Sequence, residues 1–472
     1  MFIGCFGGGT VGFVAMVVAC VAMPCTPSAA DNLEAALAYA YQNNPQLNAQ
    51  RALVRATDEN VPQALAGYRP KISVTGSGGI QSLSTTTRTN TLPGSPATYL
   101  TQSGENAPWG GGTTITQTLY NGLQTASKTR QAEAQVLAAR ETLRATEQAV
   151  LLNAVTAYMN LLRDIAVLEL QHRNVQVLDD QLGQTHKRLD AGNVTATDVY
   201  QAESRLAAGR IQMFSAEANY STSVAVYREA IGLDPGKLTA ASPVDRFIPN
   251  NLPAALAIGT VQNPNVTAAQ YTIDFALQQV KVAEAALLPT VAVQGNVQKN
   301  FGSTLTTMES FTASLVGQVT VPIYQGGADY SGIRQAKETA SQRRLELDRA
   351  RDQTRTGVLQ FWAQTEASKH SLEMAMQQVK VTESALNGVS EEARLGQRTT
   401  LDVLNAQQEL VGARVNLLSA QRDRIVNSYS LLAALGRLSP QVLGLRVDAY
   451  SAQVHYHQVR DAWFGARTPD GQ

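Results

Sequence analysis

The chain is predicted to be dominated by α-helix, with a small transmembrane β part, and to be built twice from one unit of a strand pair and two long helices. Three observations lead there. The sequence repeats itself at a constant spacing. Each copy is mostly a proline-free run of strong helix formers, and a short stretch of period-two alternation precedes each run.

Tyr120, Gly122, Arg130, Gln131 and Ala132 recur as Tyr324, Gly326, Arg334, Gln335 and Ala336. Gly192, Thr195, Asp198, Val199, Ala202, Leu206 and Gly232 recur as Gly396, Thr399, Asp402, Val403, Ala406, Leu410 and Gly436. The spacing is 204 residues throughout, so this span carries no net insertion. Upstream, Leu33, Ala35, Ala36, Leu37, Asn44, Pro45, Pro70 and Gly76 recur 219 residues later, from Leu252 to Gly295, so the first copy holds 15 extra residues between Gly76 and Tyr120. The chain divides accordingly into a first repeat at 31–232, a connection at 233–250, a second repeat at 251–436 and a polar C-terminal tail at 437–472.

Residues 1–30 read as an export signal. Phe13 to Met23 is apolar, Ser28-Ala29-Ala30 is a small-residue cleavage site and polar Asp31 follows. A second reading takes Val17-Val18-Ala19-Cys20 as a lipobox with Cys20 acylated. The short spacer between Cys20 and the first helical pattern favours cleavage after Ala30. The apolar run falls short of the roughly 20 residues a membrane-spanning helix needs, and no later segment is expected to reach that length. All three cysteines lie within the first 25 residues, so removal of this segment leaves no thiol for disulfides, zinc ribbons or nucleophilic catalysis. The 38 basic and 38 acidic residues cancel, leaving no net field to attract nucleic acid.

Residues 33–43 form a short amphipathic helix ended by Asn43-Asn44-Pro45, repeated at 252–262. Residues 46–67 continue helically, with Pro62 placed to kink or interrupt them. The equivalent position is Lys281, so no kink is expected in the second copy. After Pro70 and Pro289 the period becomes two. Ile72 and Val74 alternate with Lys71, Ser73 and Thr75, and Val291, Val293 and Val297 with Ala292, Gln294 and Asn296. Strands are expected near 71–82, 112–120, 290–300 and 311–323, wet on one face. The connections 83–111 and 301–310 are rich in Thr, Ser, Asn, Gly and Pro, a composition of loops without a core.

No proline occurs between Pro108 and Pro235 or between Pro322 and Pro440. Helices are expected over 124–190 and 198–231, and over 328–395 and 402–435. The longest would run on the order of 100 Å at 1.5 Å per residue, a length that requires a coiled coil or a tube. Each long helix stops at glycine, Gly192 or Gly396. A new one starts at Thr195-Ala196-Thr197-Asp198 or Thr399-Thr400-Leu401-Asp402, which are capping boxes.

Four alternating strands cannot close a barrel alone, and left open they carry exposed edges. Strands of about ten residues with one polar face match a transmembrane β-barrel wall. Tyr68, Trp109, Tyr120, Phe301 and Tyr324 lie around the strand ends, where an aromatic girdle meets headgroups. Three chains would supply twelve strands around a water-filled lumen.

The duplicated unit, the Val-Pro-Ile-Tyr-Gln-Gly-Gly run at 321–327 and the Leu-Gly…Asp-Val-Leu-Asn-Ala run at 395–406 resemble the TolC-like outer membrane efflux proteins over roughly residues 31–445. The resemblance implies a homotrimer with a 12-stranded β-barrel in the outer membrane and an α-helical barrel crossing the periplasm. It implies docking onto a periplasmic adaptor and an inner-membrane transporter that supplies the energy, with 33–43, 233–262 and the tail after 437 at the equator. It also implies a periplasmic gate closed by coiling the second hairpin inward. Carried over by position, Thr197, Asp198 and Arg398 match latch residues, Asp402 the first aspartate of a pore ring, and Gly192, Thr195, Gly396 and Thr399 the tip turns that meet the adaptor. The family's second aspartate is Asn405 here and its expected tyrosine is Ala393. The resemblance therefore implies a single anionic ring, weaker cation selectivity and a looser latch.

The capping boxes by themselves explain Asp198 and Asp402. For Asp402 the resemblance favours the pore ring; for Asp198 cap and latch can coexist. His455 and His457 are spaced as a metal pair, but a polar tail points to solvated side chains. Trp362 and Phe361 read as packing residues, and Gly7-Gly8-Gly9 has no phosphate-binding context. No catalytic triad, carboxylate pair at catalytic spacing or nucleotide loop is found, so neither catalysis nor a cofactor is expected. An exit duct of this kind serves either a tripartite efflux system or type I secretion of proteins, and the sequence does not separate the two. The alternative to a duct is an exported coiled-coil scaffold without a pore, which gives no reason for alternating strands beside aromatic residues.

Overall fold

The structure is a computed structural model that describes residues 32–89, 93–94, 96–305 and 308–469. The segment read as an export signal, with Cys5, Cys20 and Cys25, lies outside the described residues. The first repeat comprises α1 (Leu33–Asn43), α2 (Pro45–Asp58), α3 (Asn60–Leu65), β1 (Lys71–Gly78), β2 (Gln81–Arg88), β3 (Tyr99–Asn106), β4 (Trp109–Asn121), α4 (Gln124–Asp190) and α5 (Ala196–Ile231). The second comprises α6 (Leu252–Gln262), α7 (Pro264–Glu284), β5 (Thr290–Phe301), β6 (Glu309–Thr320), α8 (Ala328–Arg394) and α9 (Thr400–Ala434). Two short helices, α10 (Pro440–Leu443) and α11 (Ala452–Val459), lie in the tail.

The repeated Asn-Pro pair works identically in both copies. Asn44 caps α2 by accepting from the Gln46 and Leu47 N–H groups, and its amide donates to the Ala230 carbonyl at 3.2 Å. Asn263 caps α7 by accepting from the Asn265 N–H, and its amide donates to the Ala434 carbonyl at 3.0 Å. One side chain thus satisfies orphan groups at the start of one helix and the end of another. Gly436 (φ +77°) lies against the backbone of Gln262 and Asn263, where a Cβ would come within 2.4 Å of a carbonyl oxygen. Pro62 acts as expected. Its ring excludes the carbonyl of the residue four positions earlier, and α2 ends at that residue, Asp58, whereas α7 runs unbroken past Lys281.

Four strands form one antiparallel sheet in the order β1-β4-β5-β6. Its register sorts side chains cleanly. Ile72, Ile115, Gly295 and Leu315 share a row, as do Val74, Thr113, Val297 and Ala313. The intervening rows, such as Ser73, Thr114, Asn296 and Ser314, point to the other face. One face is therefore apolar and open, with Val74 and Leu315 both 79% exposed, and the other is polar. A bulge at Leu119 brings Tyr120 opposite Val291 on the apolar face, at the helix-proximal end. At the distal end Trp109 and Phe301 stack at 4.1 Å. From Tyr120 to Trp109 is about 37 Å of strand, which at a tilt of about 45° spans about 26 Å, the height of a barrel's apolar band.

Three strand expectations need correction. The first strand ends at Gly78 rather than 82, since β2, a separate strand, starts at Gln81. The connection 83–111 is not a plain loop, since β2 and β3 pair in a separate two-stranded hairpin from Gln81↔Asn106 to Arg88↔Tyr99. Its polar composition cannot build a core. Even so, threonine's β-branched side chain suits a wet ladder, with Thr86 and Thr101 bonded across it at 2.9 Å. The last strand stops at Thr320 rather than 323, because Pro322 has no N–H to donate.

The long helices α4 and α8 each contain 67 residues, about 100 Å. Contrary to expectation, one stretch of α4 is long and apolar enough to cross a membrane, but half of it is buried against the rest of the chain. Those residues serve the largest core. There Leu151, Tyr158 and Leu161 of α4 meet Leu37, Leu47, Tyr227, Leu432 and Leu438. Trp362 and Phe361 pack, as predicted, against Ala255, Val358, Leu431 and Leu435.

The tail also departs from expectation. His455 is buried, not solvated, with Nδ1 3.1 Å from Asp58 Oδ2. Arg140 lies 3.7 Å from the same carboxylate, and its guanidinium sits over the Tyr456 ring. Burial is the largest influence on the Asp58 carboxyl and pushes its pKa up, against the pull of His455 and Arg140. His455→Ala would strand a buried acceptor at a cost of about 1–3 kcal/mol. Trypsin cleavage after Arg460 is expected to accelerate about ten- to hundredfold, since cleavage follows the undocked population. An unchanged rate would show that this pair does not hold the tail.

Candidate gate at the helical tip

Both hairpins turn by the same local chemistry. Gly192 and Gly396 take positive φ (74° and 79°) and close α4 and α8. The Asn193 N–H donates to the Arg188 carbonyl at 2.8 Å, and the Gln397 N–H to the Glu392 carbonyl at 2.9 Å. The next helices begin with capping boxes. Asp198 Oδ2 accepts from the Thr195 N–H and hydroxyl, both at 2.8 Å. Asp402 Oδ2 accepts from the Thr399 N–H at 3.0 Å and hydroxyl at 2.8 Å, and Thr399 Oγ1 accepts from the Asp402 N–H at 3.3 Å.

In each aspartate both bonds land on one oxygen, which leaves Oδ1 outside the box. Capping and a second electrostatic task are therefore compatible on the same carboxylate. These N–H and hydroxyl donors hold both carboxyls below the usual aspartate range.

The residues that the resemblance marks as a latch are not brought together within one chain. Thr197 is exposed, and Arg398 Nε pairs with Glu392 at 2.9 Å rather than with Thr197 or Asp198. That ion pair pushes the Arg398 pKa up. Ala393, where the resemblance leads one to expect tyrosine, is buried in its own hairpin.

Sequence reasoning missed the tie between the hairpins. Arg205 on α5 reaches across to α9, where one nitrogen donates to Asn405 Oδ1 at 2.8 Å and another to Gln408 Oε1. Leu178, Ala202, Leu206 and Leu404 pack beneath it. A signal was available, because the repeat partner of Arg205 is Glu409, a charge reversal between the matched pairs Ala202/Ala406 and Leu206/Leu410. Elsewhere the repeat holds. Arg210 pairs with Asp179 at 3.5 Å in the first hairpin, and Arg414 with Glu383 at 2.9 Å, 204 residues on, in the second. Among the described residues no group of His, Cys, Asp or Glu could hold a metal ion.

A sheet with one lipid-compatible face, carrying helical hairpins some 100 Å long, defines a class: proteins that enter a bilayer by strands and send helices far away from it. The family described as outer membrane efflux protein matches residues 36–233 and 260–437, one match for each repeat. The outer membrane efflux protein BepC of Brucella suis is 39% identical over 443 residues, covering 94% of this chain and 93% of its own. The outer membrane protein TolC of Vibrio cholerae is 26% identical over 422 residues, covering 87% and 92%. Among solved structures, the CmeC outer membrane channel of Campylobacter jejuni superposes with a TM-score of 0.73 at 15% identity, covering 91% and 89%. The chain belongs to the outer membrane efflux protein family. It is a TolC-like protein of the outer membrane that extends into the periplasm.

Proposed function

We propose that three copies of this chain form a passive exit duct, with a 12-stranded barrel in the outer membrane, a helical tube in the periplasm and a gate at the tip. One observation carries the assembly. The single chain exposes 29059 Å², against roughly 17,000 Å² for a compact monomer of its mass. The unpaired sheet edges, β1 and β6, run antiparallel to each other. Copies joined edge to edge continue the ladder around a ring and leave no edge. The apolar face then meets lipid and the polar face lines water.

Gating is assigned to Asp402, Asn405, Thr197, Asp198 and Arg398, with Arg205 added. Asp402 supplies one anionic ring, Asn405 gives none, and Arg205 ties the second hairpin to the first. The exposed turns at Gly192, Thr195, Gly396 and Thr399 are the proposed contact for a periplasmic adaptor, which couples the duct to an inner-membrane transporter. The name of the BepC relative favours efflux over protein secretion. The transporter supplies the energy, and the duct catalyses nothing. Purified protein is expected to run as heat-modifiable trimers and to conduct ions in planar bilayers. Monomeric, insulating material would refute the duct and leave the exported scaffold as the better account.

A further inference from the structure

We propose that the C-terminal segment around Trp463 and Phe464 is a membrane-surface anchor that seats both rings among the headgroups of the periplasmic leaflet. The proposal rests on reading the sheet as a membrane wall.

The tail climbs alongside the segment that leads into β1. The Tyr450 N–H donates to the Tyr41 hydroxyl at 3.2 Å, and His455 bonds Asp58. Tyr456 then packs on Val61, Ala132 and Val136, and Arg460 lies 3.8 Å from Glu133. Finally Arg69 donates to the Ala462 carbonyl at 2.7 Å and lies over the Trp463 ring, 4.6 Å from its centre. Arg69 stands just before Lys71, the first residue of β1. Trp463 is therefore held at the level where the sheet begins, on the side from which the helices descend.

Held there, Trp463 is 60% exposed and Phe464 93% exposed, beside Tyr68 at 54%. The Trp463 ring, pinned in the open by Arg69 with Phe464 next to it in sequence, is costly in water and well placed at a lipid interface, where tryptophan's apolar body and N–H both find partners. The charge agrees. Among the described residues of this stretch, the cations Arg69, Lys71 and Arg467 outnumber the acid Asp461, and Arg460 is taken by Glu133. That balance suits anionic phospholipid headgroups.

The chain has three tryptophans, Trp109, Trp362 and Trp463, so two single-tryptophan proteins test this directly. One carries Trp109→Phe and Trp362→Phe, the other Trp362→Phe and Trp463→Phe. Each full-length protein is reconstituted in phosphatidylcholine–phosphatidylglycerol vesicles containing lipids brominated near the headgroup or near the chain end. Trp463 is expected to lose most of its emission to shallow bromines and little to deep ones, and Trp109 is expected to be quenched as well. If Trp109 is quenched while Trp463 is not, the anchor fails and the barrel stands. If neither is quenched, the barrel reading fails and the anchor with it. An independent readout keeps all three tryptophans: Phe464→Cys, labelled with a polarity-sensitive dye, is expected to report a lipid interface, and a water-like signal would overturn the anchor.

Discussion

Replacing Asp402 with alanine is expected to weaken block of the duct by trivalent cations from the periplasmic side by about a hundredfold. In a threefold assembly the three carboxylates surround one axis, and each meets a triply charged ion. The summed attraction survives the dielectric of water and salt screening at roughly two orders of magnitude in affinity. Asn405 cannot substitute, because its amide is neutral and already held by Arg205. Asp198→Ala is the comparison: it removes the matching cap and the proposed latch carboxylate from the first hairpin but no charge of the ring, so block is expected to persist even where resting conductance rises. The pH dependence follows from the cap. The Thr399 N–H and hydroxyl hold the Asp402 pKa below its usual value. A depressed carboxyl contributes its stability above the unfolded value, near pH 4, and loses it as pH falls through the folded value. Block is therefore expected to persist at pH 5. Block that survives Asp402→Ala would remove this residue from the constriction.

Arg205→Ala is expected to open the resting channel. It deletes two hydrogen bonds from a charged donor between the hairpins, worth together about 2 kcal/mol at a half-exposed site. That energy shifts a closed–open balance about thirtyfold, read as a rise in single-channel conductance or open probability. Arg205→Lys can keep one of the two bonds and is expected to fall between. Arg398→Ser should also raise conductance if its charge latches the tip between neighbouring chains. Within one chain it serves Glu392, so its effect depends on the trimer while that of Arg205 does not. Unchanged conductance in Arg205→Ala, with trimers intact, would show that the tie does not restrain the gate.

Caps, stops and breaks decided by neighbours in sequence were legible without coordinates. The capping boxes at Thr195 and Thr399 join residues three apart, so residue type and spacing suffice. The interruption at Pro62 and the stops at Gly192 and Gly396 are backbone effects of single residues. The repeat itself exposed the two hairpins and the alternating strands.

What tertiary structure decided are pairs that no period predicts. His455 meets Asp58 across 397 residues. Arg205 meets Asn405 across 200, because helices α5 and α9 happen to present those faces to each other. The β2–β3 hairpin escaped notice because its ladder is backbone hydrogen bonding on a polar chain, which leaves no hydrophobic pattern. Local bonds are written in spacing. Long-range bonds depend on the angle and register at which whole helices pack, and those are set by many small apolar contacts at once.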